Sequence, residues 1–455
     1  MAAVAAPDGG PPAGPAIIQP ASALRGDIRV PGDKSISHRA LMFALLAQGE
    51  SRITGAGDGA DVRSTAAIVQ ALGADVERVA SDGPTVEYRV RSPGSAGIRG
   101  PSATLDCGNS GTSLRLFAGL LAGLPLTATL DGDDSLRARP VARIIEPLRA
   151  MGATLSARNH DSLPPVTVTG HFPLRSIDWT TPVPSAQVKS AILLAGLWAE
   201  GTTVVRERVA TRDHTERMLR ARGIAVRART DGGSGAVVEV DGGGSVQAID
   251  QRVPGDPSAA AFWLVAGAVH PDARLTLRGI GTNPTRRAVI DVLIRMGARI
   301  EEATASPAQD PGFGEPVADL TVGSSALRGT DMDPAEVAAA IDEIPILCLA
   351  ATQSVGRSRF RGAGELRHKE SDRLAGIAAG LRALGADIAV EGDDLVIDGP
   401  TSLTGTLSAS LDDHRLAMTF AIAGLIARGP TTIDRPASAD ISYPGFFNDL
   451  ERIRA

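Results

Sequence analysis

Five stretches of the chain repeat one pattern, in which a glycine closes an amphipathic run and an apolar, alternating run follows. The copies are QALGADVE, LRAMGATLS, LRARGIAV, IRMGARIE and LRALGADIAV, closed by Gly73, Gly152, Gly223, Gly297 and Gly385. Glycine directly after a helix adopts the left-handed conformation that ends it, and the alternation after it indicates a strand. The intervals of 71 to 88 residues predict a duplicated α/β unit rather than a solenoid.

The C-terminal stretch PGFFNDLERIRA resembles a sixth such helix that lacks its glycine and strand. We expect the missing strand to come from AIIQPASAL, near the start of the chain. The chain would then form one domain over 27–249 and a second that combines 17–26 with 250–455. The Gly-rich stretch at 241–256 is the expected crossing point, and residues 1–16, rich in Pro, Gly and Ala, predict a disordered tail.

Composition excludes several classes of function. A hydrophobic content of 43% in 455 residues is typical of a globular chain with two or three domains. The net charge of −6 gives no general attraction to nucleic acid or to anionic membranes, so anionic ligands must be held by local clusters of cations. Apolar runs are too short to span a bilayer and no targeting signal is recognised, which predicts a soluble, cytoplasmic protein.

Arginine supplies nearly all of the positive charge, with 43 arginines against three lysines. One of these lysines, Lys34, stands in PGDKSISHRA. A lysine retained in such a chain suggests a site that needs a compact ammonium group rather than a planar guanidinium.

Hydroxyl, amide and charged residues gather at five places where a helix is expected to begin. These are PGDKSISHRALMFALLA, DCGNSGTSLRLFAGLLA, VPSAQVKSAILLAG, GDDSLRARPVARIIEPL and ELRHKESDRLAGIAAGL. Capping alone explains many of the serines. Several helix N-termini in one chain would also bind phosphate or carboxylate, although no Walker sequence or convincing GxGxxG accompanies them.

Individual charged residues suggest chemistry at these starts. Arg139, fixed before a proline, could present a bidentate fork to an anion. Glu370 could form only a surface ion pair with the adjacent Lys369, or it could be an acid whose pKa is set by nearby cations. Asp342 has strongly apolar flanks and needs a partner or a chemical role. Arg212 and Arg415 stand at two further helix starts.

Eight motifs occur in the order seen in the 5-enolpyruvylshikimate-3-phosphate synthase family, which the chain resembles from about residue 17 to its end. They are PGDKSISHRA, GNSGTSLR, RARP, SAQVKSA, TRDHTERM, GDPSAAAF, RHKESDR and LDDHRLAM. The resemblance implies an α/β fold, a two-domain inverted α/β barrel with six βαβαββ repeats. It also implies transfer of the enolpyruvyl group of phosphoenolpyruvate to the 5-hydroxyl of shikimate 3-phosphate, by a monomer without metal or organic cofactor.

The resemblance also implies a set of site residues. Those expected at shikimate 3-phosphate are Lys34, Ser35, Arg39, Ser185, Ala186, Gln187, Arg212, Asp342 and Lys369. Those expected at phosphoenolpyruvate are Lys34, Asn109, Gly111, Arg139, Gln187, Arg373 and Arg415. Glu370 would be the acid toward the methylene carbon and Asp342 the base at the 5-hydroxyl, with Lys34 assisting.

Departures from the family pattern resemble a divergent bacterial class. Ala186 replaces a serine found in many members, and Ile441 occupies a position where some carry a lysine. Gly111 is similar to the glyphosate-sensitive type and predicts inhibition, although Leu116 replaces a proline that many members have.

Two alternative functions remain. UDP-N-acetylglucosamine enolpyruvyl transferase has the same architecture but uses a loop cysteine as its acid, and Cys107 stands in a different motif context. A non-catalytic anion-binding relative is the other, against which the presence of both Asp342 and Glu370 argues.

Overall fold

The computed structural model describes residues 14–80, 83–304 and 310–454. The tail predicted for residues 1–16 lies almost entirely outside these ranges. Its last residue, Ala16, begins a strand.

Six units of one order build the described chain: a strand, a helix, a second strand, a second helix and a closing strand or strand pair. Unit one comprises Gln251–Arg252, Lys34–Leu46, Gln48–Gly57, Ala60–Ala71, Asp75–Ala80 and Thr85–Pro93. Unit two comprises Leu105–Asp106, Gly111–Ala122, Thr127–Asp131, Ala142–Ala150, Thr154–Ala157 and Leu163–Thr169. Unit three comprises Asp178–Thr180, Ala186–Gly196, Thr202–Glu207, His214–Ala221, Val226–Thr230 and Ala236–Asp241. Unit four comprises Leu24–Ile28, Pro257–Val269, Ala273–Gly281, Ala288–Arg295, Arg299–Thr304 and Val317–Gly323. Unit five comprises Asp331–Met332, Ile344–Thr352, Gly356–Phe360, Arg373–Ala383, Asp387–Glu391 and Asp394–Gly399. Unit six comprises Leu407–Ser408, His414–Gly424, Thr431–Ile433, Phe446–Arg452 and Ala16–Ile18.

Smaller elements connect the units. The strands Leu174–Arg175 and Ala199–Glu200 pair in parallel, the short helices are Asp134–Arg137 and Pro334–Ala339, and single turns are Ser95–Gly97, Arg158–Asp161, Ala363–His368 and Pro436–Ile441.

The closing glycines behave as the sequence predicts. Gly73, Gly152, Gly223, Gly297 and Gly385 have φ values of 109°, 110°, 84°, 99° and 95°. After the helix Ala60–Ala71, for example, the N–H of Gly73 donates to the carbonyl of Gln70 at 3.0 Å and that of Ala74 to Val69 at 3.3 Å. This pair of bonds satisfies carbonyls left open at the helix end and turns the chain toward the next strand.

Three sheets take a strand from a distant part of the chain. Ala16–Ile18 pairs antiparallel with Thr431–Ile433, which confirms the strand expected from AIIQPASAL. The same stretch leads into a second strand, Leu24–Ile28, which the repeat pattern does not predict and which runs parallel to residues 273–277. Gln251–Arg252 in turn runs parallel to Ile53 and Thr54 in unit one.

Buried apolar side chains form two separate cores. One gathers residues between Ile36 and Val253 together with Phe313, and the other gathers residues 16–30 and 259–453. We call residues 33–253 the first half, and residues 14–30 with 256–454 the second half. The domain boundaries given above remain a prediction.

The chain crosses between the halves twice, and the two crossings lie side by side. The N–H of Asp33 donates to the carbonyl of Pro254 at 2.8 Å, and that of Asp256 donates to Pro31 at 2.9 Å. A Cβ on Gly32 would lie 1.9 Å from the carbonyl oxygen of Gly55, so only glycine allows this approach. None of the helices in the described ranges has the length and apolar character needed to cross a membrane.

Candidate active site

Helix starts from both halves meet at one cleft, and short polar side chains fix where each helix begins. Asp33 accepts from the N–H of Ile36 at 2.9 Å and so caps the helix Lys34–Leu46. Ser35 therefore lies inside the first turn and is not a cap. Ser110, Ser185, Asp372 and Asp413 cap four further helices in the same way.

The cleft contains about 300 Å³ of empty space, part of it open to solvent, and carries an excess of positive charge. Its lining residues are Lys34, Ser35, Arg212, Asp256, Ser258, Arg286, Asp342, Glu370, Arg373, His414 and Arg415. Five of these side chains are cationic and three are carboxylates. A chain with net charge −6 thus concentrates cations where its two halves face each other, which favours an anionic ligand there.

Asp342 sits among cations from both halves. Its carboxylate accepts from Arg212 at 2.7 Å and from Lys369 at 3.2 Å, and a guanidinium nitrogen of Arg373 lies 3.7 Å away. Burial alone would raise the pKa of Asp342, but Lys369 and Arg212 hold it well below its usual range. Asp342 is therefore ionised at neutral pH, as a general base must be.

Glu370 is held in the same way. Arg373 lies 2.6 Å from one of its oxygens, and Arg139 of the first half lies 3.9 Å from the other. Burial would raise the pKa of Glu370, whereas Arg373 and, more weakly, Arg139 and Lys34 pull it well below its usual range. In the unliganded cleft Glu370 is a carboxylate and carries no proton to donate.

Lys34 contacts the first half through its side chain and the second half through its backbone. Its ammonium lies 2.9 Å from the carboxylate of Asp61, and its backbone N–H donates to Asp256 at 3.2 Å. Burial lowers the pKa of Lys34, but Asp61 and Glu370 outweigh this and raise it above its usual value. The group is a fixed cation facing the cleft.

The remaining lysines separate into two kinds. Lys369 lies beside the cleft and contacts Asp342. Lys189 is 1% exposed and pairs with Glu207 at 2.9 Å and Glu216 at 2.8 Å, so its role is structural. A retained lysine marks the cleft in two of three cases.

Seven of the predicted site residues line the cleft: Lys34, Ser35, Arg212, Asp342, Glu370, Arg373 and Arg415. Three more lie one contact away, and Asn109 lies one contact beyond Arg139. Arg139 reaches Glu370, Lys369 reaches Asp342, Asn109 accepts from Arg139 at 2.5 Å, and Arg39 donates to the carbonyl of Ser35 at 2.9 Å.

The other four predicted residues stand further out, on two packed helices. Gln187 donates to Thr112 at 3.0 Å and accepts from Arg115 at 2.7 Å, and a Cβ on Gly111 would lie 3.7 Å from a guanidinium nitrogen of Arg139. Ser185 and Ala186 begin the helix that carries Gln187, and they are not among the lining residues of the cleft.

Sequence reasoning missed several residues of the cleft. Asp256 caps the helix Pro257–Val269 and also accepts from the first N–H of the helix Lys34–Leu46, so one carboxylate joins helix starts of both halves. Its place in GDPSAAAF, directly before a proline, was the available signal. Arg286, which contacts Asp256 and Ser258, had no such signal in NPTRRAVI.

Comparison with known proteins extends over nearly the whole chain. Residues 18–450 match the family described as EPSP synthase (3-phosphoshikimate 1-carboxyvinyltransferase). The 3-phosphoshikimate 1-carboxyvinyltransferase of Gloeobacter violaceus is 50% identical over 438 residues, which cover 96% of this chain and 98% of that protein. The protein of the same name from Bacillus cereus is 44% identical over 437 residues, with 96% and 98% covered.

Solved structures agree with these relatives. An EPSP synthase from Acinetobacter baumannii superposes with a TM-score of 0.83 at 39% identity, covering 96% of this chain and 98% of that chain. The enolpyruvyl transferase NikO from Streptomyces tendae superposes with a TM-score of 0.75 at 21% identity and covers 96% of each chain, which shows a shared fold. The predicted α/β class and inverted α/β barrel are confirmed, and the chain belongs to the EPSP synthase family.

Proposed function

We propose that this chain transfers the enolpyruvyl group of phosphoenolpyruvate to the 5-hydroxyl of shikimate 3-phosphate and releases phosphate. The observation that carries this function, within the family shown above, is a cleft between two halves that is lined by five cations and three carboxylates, among them the ionised Asp342 and Glu370. Two polyanionic substrates repel each other in water. Fixed cations offset that repulsion and hold the reacting atoms together.

The test is phosphate release with phosphoenolpyruvate and either shikimate 3-phosphate or UDP-N-acetylglucosamine as acceptor. We expect turnover only with shikimate 3-phosphate. Cys107, the acid that the alternative transferase would need, is fully buried in the first core, and burial raises its thiol pKa further from neutral. Release with UDP-N-acetylglucosamine alone would favour that alternative, and no release with either would favour a non-catalytic relative.

The positions of the cations support a division of binding between the substrates. Arg212, Arg39 and Lys369 would hold shikimate 3-phosphate, with Ser35, Ser185, Ala186 and Gln187 completing its pocket. Arg139, Arg373 and Arg415 would hold phosphoenolpyruvate, with Asn109, Gly111 and Gln187 shaping that side. Lys34, which lines the same cleft, would contact both substrates.

The reaction needs one proton given and one taken in its addition step. We infer that Glu370 protonates the methylene carbon of phosphoenolpyruvate while Asp342 takes the proton from the 5-hydroxyl, which attacks the neighbouring carbon. Elimination then removes a proton from the new methyl group and expels phosphate, so the roles partly reverse. Lys34 stabilises the charge that develops between them.

Glu370 must first acquire the proton that it donates. Phosphoenolpyruvate brings a phosphate and a carboxylate to Arg373 and Arg139, which now hold the pKa of Glu370 low. Competition for these cations raises the pKa of Glu370. At any pH between the pKa of Glu370 in the free enzyme and its pKa in the phosphoenolpyruvate complex, binding is therefore accompanied by proton uptake.

Proton uptake on phosphoenolpyruvate binding is therefore a prediction. Asp342→Asn enzyme saturated with shikimate 3-phosphate should bind phosphoenolpyruvate without rapid turnover. Calorimetry in buffers of different ionisation enthalpy should show a binding heat that depends on the buffer. Adding Glu370→Gln should remove most of the uptake, and an unchanged uptake in the double variant would assign the proton to another group.

We propose further that the enzyme is inhibited by glyphosate, as Gly111 suggests. A Cβ at this position would lie 2.5 Å from a guanidinium nitrogen of Arg115 and 3.7 Å from one of Arg139. The added methyl group would take up space that the inhibitor's phosphonate needs, and a penalty of about 1–3 kcal/mol on the inhibitor complex would raise the glyphosate inhibition constant of Gly111→Ala about 5-fold to 140-fold. Steady-state inhibition against phosphoenolpyruvate measures this, and a wild-type constant far above the KM for phosphoenolpyruvate would contradict the proposed sensitivity.

The two halves, we propose, act as domains over 27–249 and over 17–26 with 250–455, and a hinge motion accompanies binding of the first substrate. We propose a monomer as the active form, as the family resemblance implies. We propose a cytoplasmic location because phosphorylated substrates do not diffuse across membranes.

A further inference from the structure

Four consecutive residues at the start of the helix His214–Ala221 reach four different parts of the molecule. Arg212 contacts Asp342, Asp213 accepts from Asn283, His214 contacts Glu315, and Thr215 accepts from Arg39. The first three of these contacts join the first half to the second. This short segment therefore carries much of the polar connection between the halves.

Glu315 is a buried carboxylate that the proposed reaction does not use. Its side chain is 1% exposed and lies 2.6 Å from Nδ1 of His214 and 3.3 Å from Nε of Arg217, both in the first half. Asn283, in the second half, donates to both of its oxygens at 2.9 Å. A buried carboxylate is costly unless hydrogen bonds and charge compensate it, and here Asn283 supplies the hydrogen bonds and Arg217 the positive charge.

Apolar packing also holds the chain around Glu315 against the first half. Phe313 is 5% exposed and belongs to the first core, although it lies between two strands of unit four. The carbonyl of Gly314 accepts from Arg217. The segment from Phe313 to Glu315 is thus a piece of the second half that is anchored in the first by a phenyl ring and a carboxylate.

Asp213, His214 and Glu315 also have the side chains of a metal site, with ligand atoms within 4.8 Å of one another. Asn283 donates into the space between the two carboxylates, and Arg217 lies against both of them. A guanidinium already offsets the negative charge there. The group is therefore better suited to joining the halves than to holding a cation.

We propose that Glu315, with Phe313 beside it, is a positioning residue that holds Arg212 over Asp342. The contact of Glu315 with His214 fixes the helix start two residues after Arg212. Arg212 is then presented to shikimate 3-phosphate at little further cost in conformational entropy. This inference rests on the proposed role of Arg212 at that substrate.

The test compares Glu315→Gln and Phe313→Ala with the wild type. Glutamine keeps the size of the side chain but removes its charge and places an amide N–H₂ against the donors of Asn283 and Arg217. We expect the KM for shikimate 3-phosphate to rise about tenfold in either variant, with a smaller change in kcat and in the KM for phosphoenolpyruvate. In an Arg212→Met background the effect of Glu315→Gln on that KM should largely disappear.

Asp449→Asn is the matched control. Asp449 is also a mostly buried carboxylate, 2.6 Å from the hydroxyl of Tyr443 and 2.7 Å from Arg452, and it lies outside the cleft lining. It should lower the melting temperature without changing either KM. The inference is overturned if Glu315→Gln and Phe313→Ala behave like Asp449→Asn, or if Glu315→Gln acts equally with and without Arg212. Should Phe313→Ala not fold, Phe313→Leu replaces it with the same expectation.

A second readout does not depend on the substrate. Without the anchor, the unliganded variants should have a larger radius of gyration than the wild type in X-ray scattering, because the halves separate more readily. An unchanged radius with an unchanged KM refutes the anchor. Failure of the wild type to bind shikimate 3-phosphate would refute the proposed function instead, and the scattering comparison would still test the anchor.

Discussion

Replacing Asp342 with asparagine is expected to lower kcat by about 10³-fold, because the proposed base at the 5-hydroxyl is lost and general base catalysis contributes about 10²–10⁴. Asparagine has nearly the same shape but cannot accept a proton at neutral pH. Arg212 and Lys369 stay in place and lose a competing carboxylate. The dissociation constant for shikimate 3-phosphate, measured by calorimetry, should therefore stay within several-fold of the wild-type value.

The combination of slow turnover with retained binding separates a chemical role from a structural one. Asp449→Asn serves again as the control for loss of a buried carboxylate and should keep the wild-type kcat. If Asp342→Asn retained more than a tenth of the wild-type kcat, the proton of the 5-hydroxyl would have to go to another group.

Replacing Lys34 with arginine is expected to lower kcat by about 10²-fold although the charge is kept. The ammonium lies 2.9 Å from Asp61 and is surrounded by the lining residues of the cleft. A guanidinium is larger and planar, so its charge would not occupy the place of the compact ammonium that stabilises the developing charge. Steady-state rates for Lys34→Arg and Lys34→Met measure the two contributions.

Lys34→Met should be slower still, because it also leaves the two substrate anions without a cation between them. Rates for Lys34→Arg close to the wild type would show that charge alone matters at this position. The compact size of the ammonium would then not explain why this arginine-rich chain retains a lysine here.

The starts and ends of helices could be predicted from sequence, because they depend on residues close together in the chain. Gly73 and its four counterparts end helices by their own backbone conformation. Ser185 caps its helix by accepting from the N–H of Val188, only three residues further along the chain. The strand from AIIQPASAL could be predicted because the sixth copy of the repeat lacked one. Leu24–Ile28 could not, since no unit appeared to need it.

The site could be predicted only in part, for a related reason. Lys34 and Lys189 both stand among serines at helix starts, and only the partners that folding supplies, Asp61 in one case and Glu207 in the other, distinguish a reactive cation from a structural one. Asp256 and Glu315 act across more than 100 residues of chain on Lys34 and His214. Sequence spacing carries no record of such contacts.

The second half combines residues 14–30 with residues 256–454, and this has a consequence for dividing the gene. A fragment that starts after the second crossing would lack both Ala16–Ile18 and Leu24–Ile28, leaving two of its sheets with open edges. Since Pro31 and Asp256 are hydrogen-bonded neighbours, a short linker could splice residues 14–30 directly onto 256–454. Two genes made in this way, one for each half, would encode separately foldable partners.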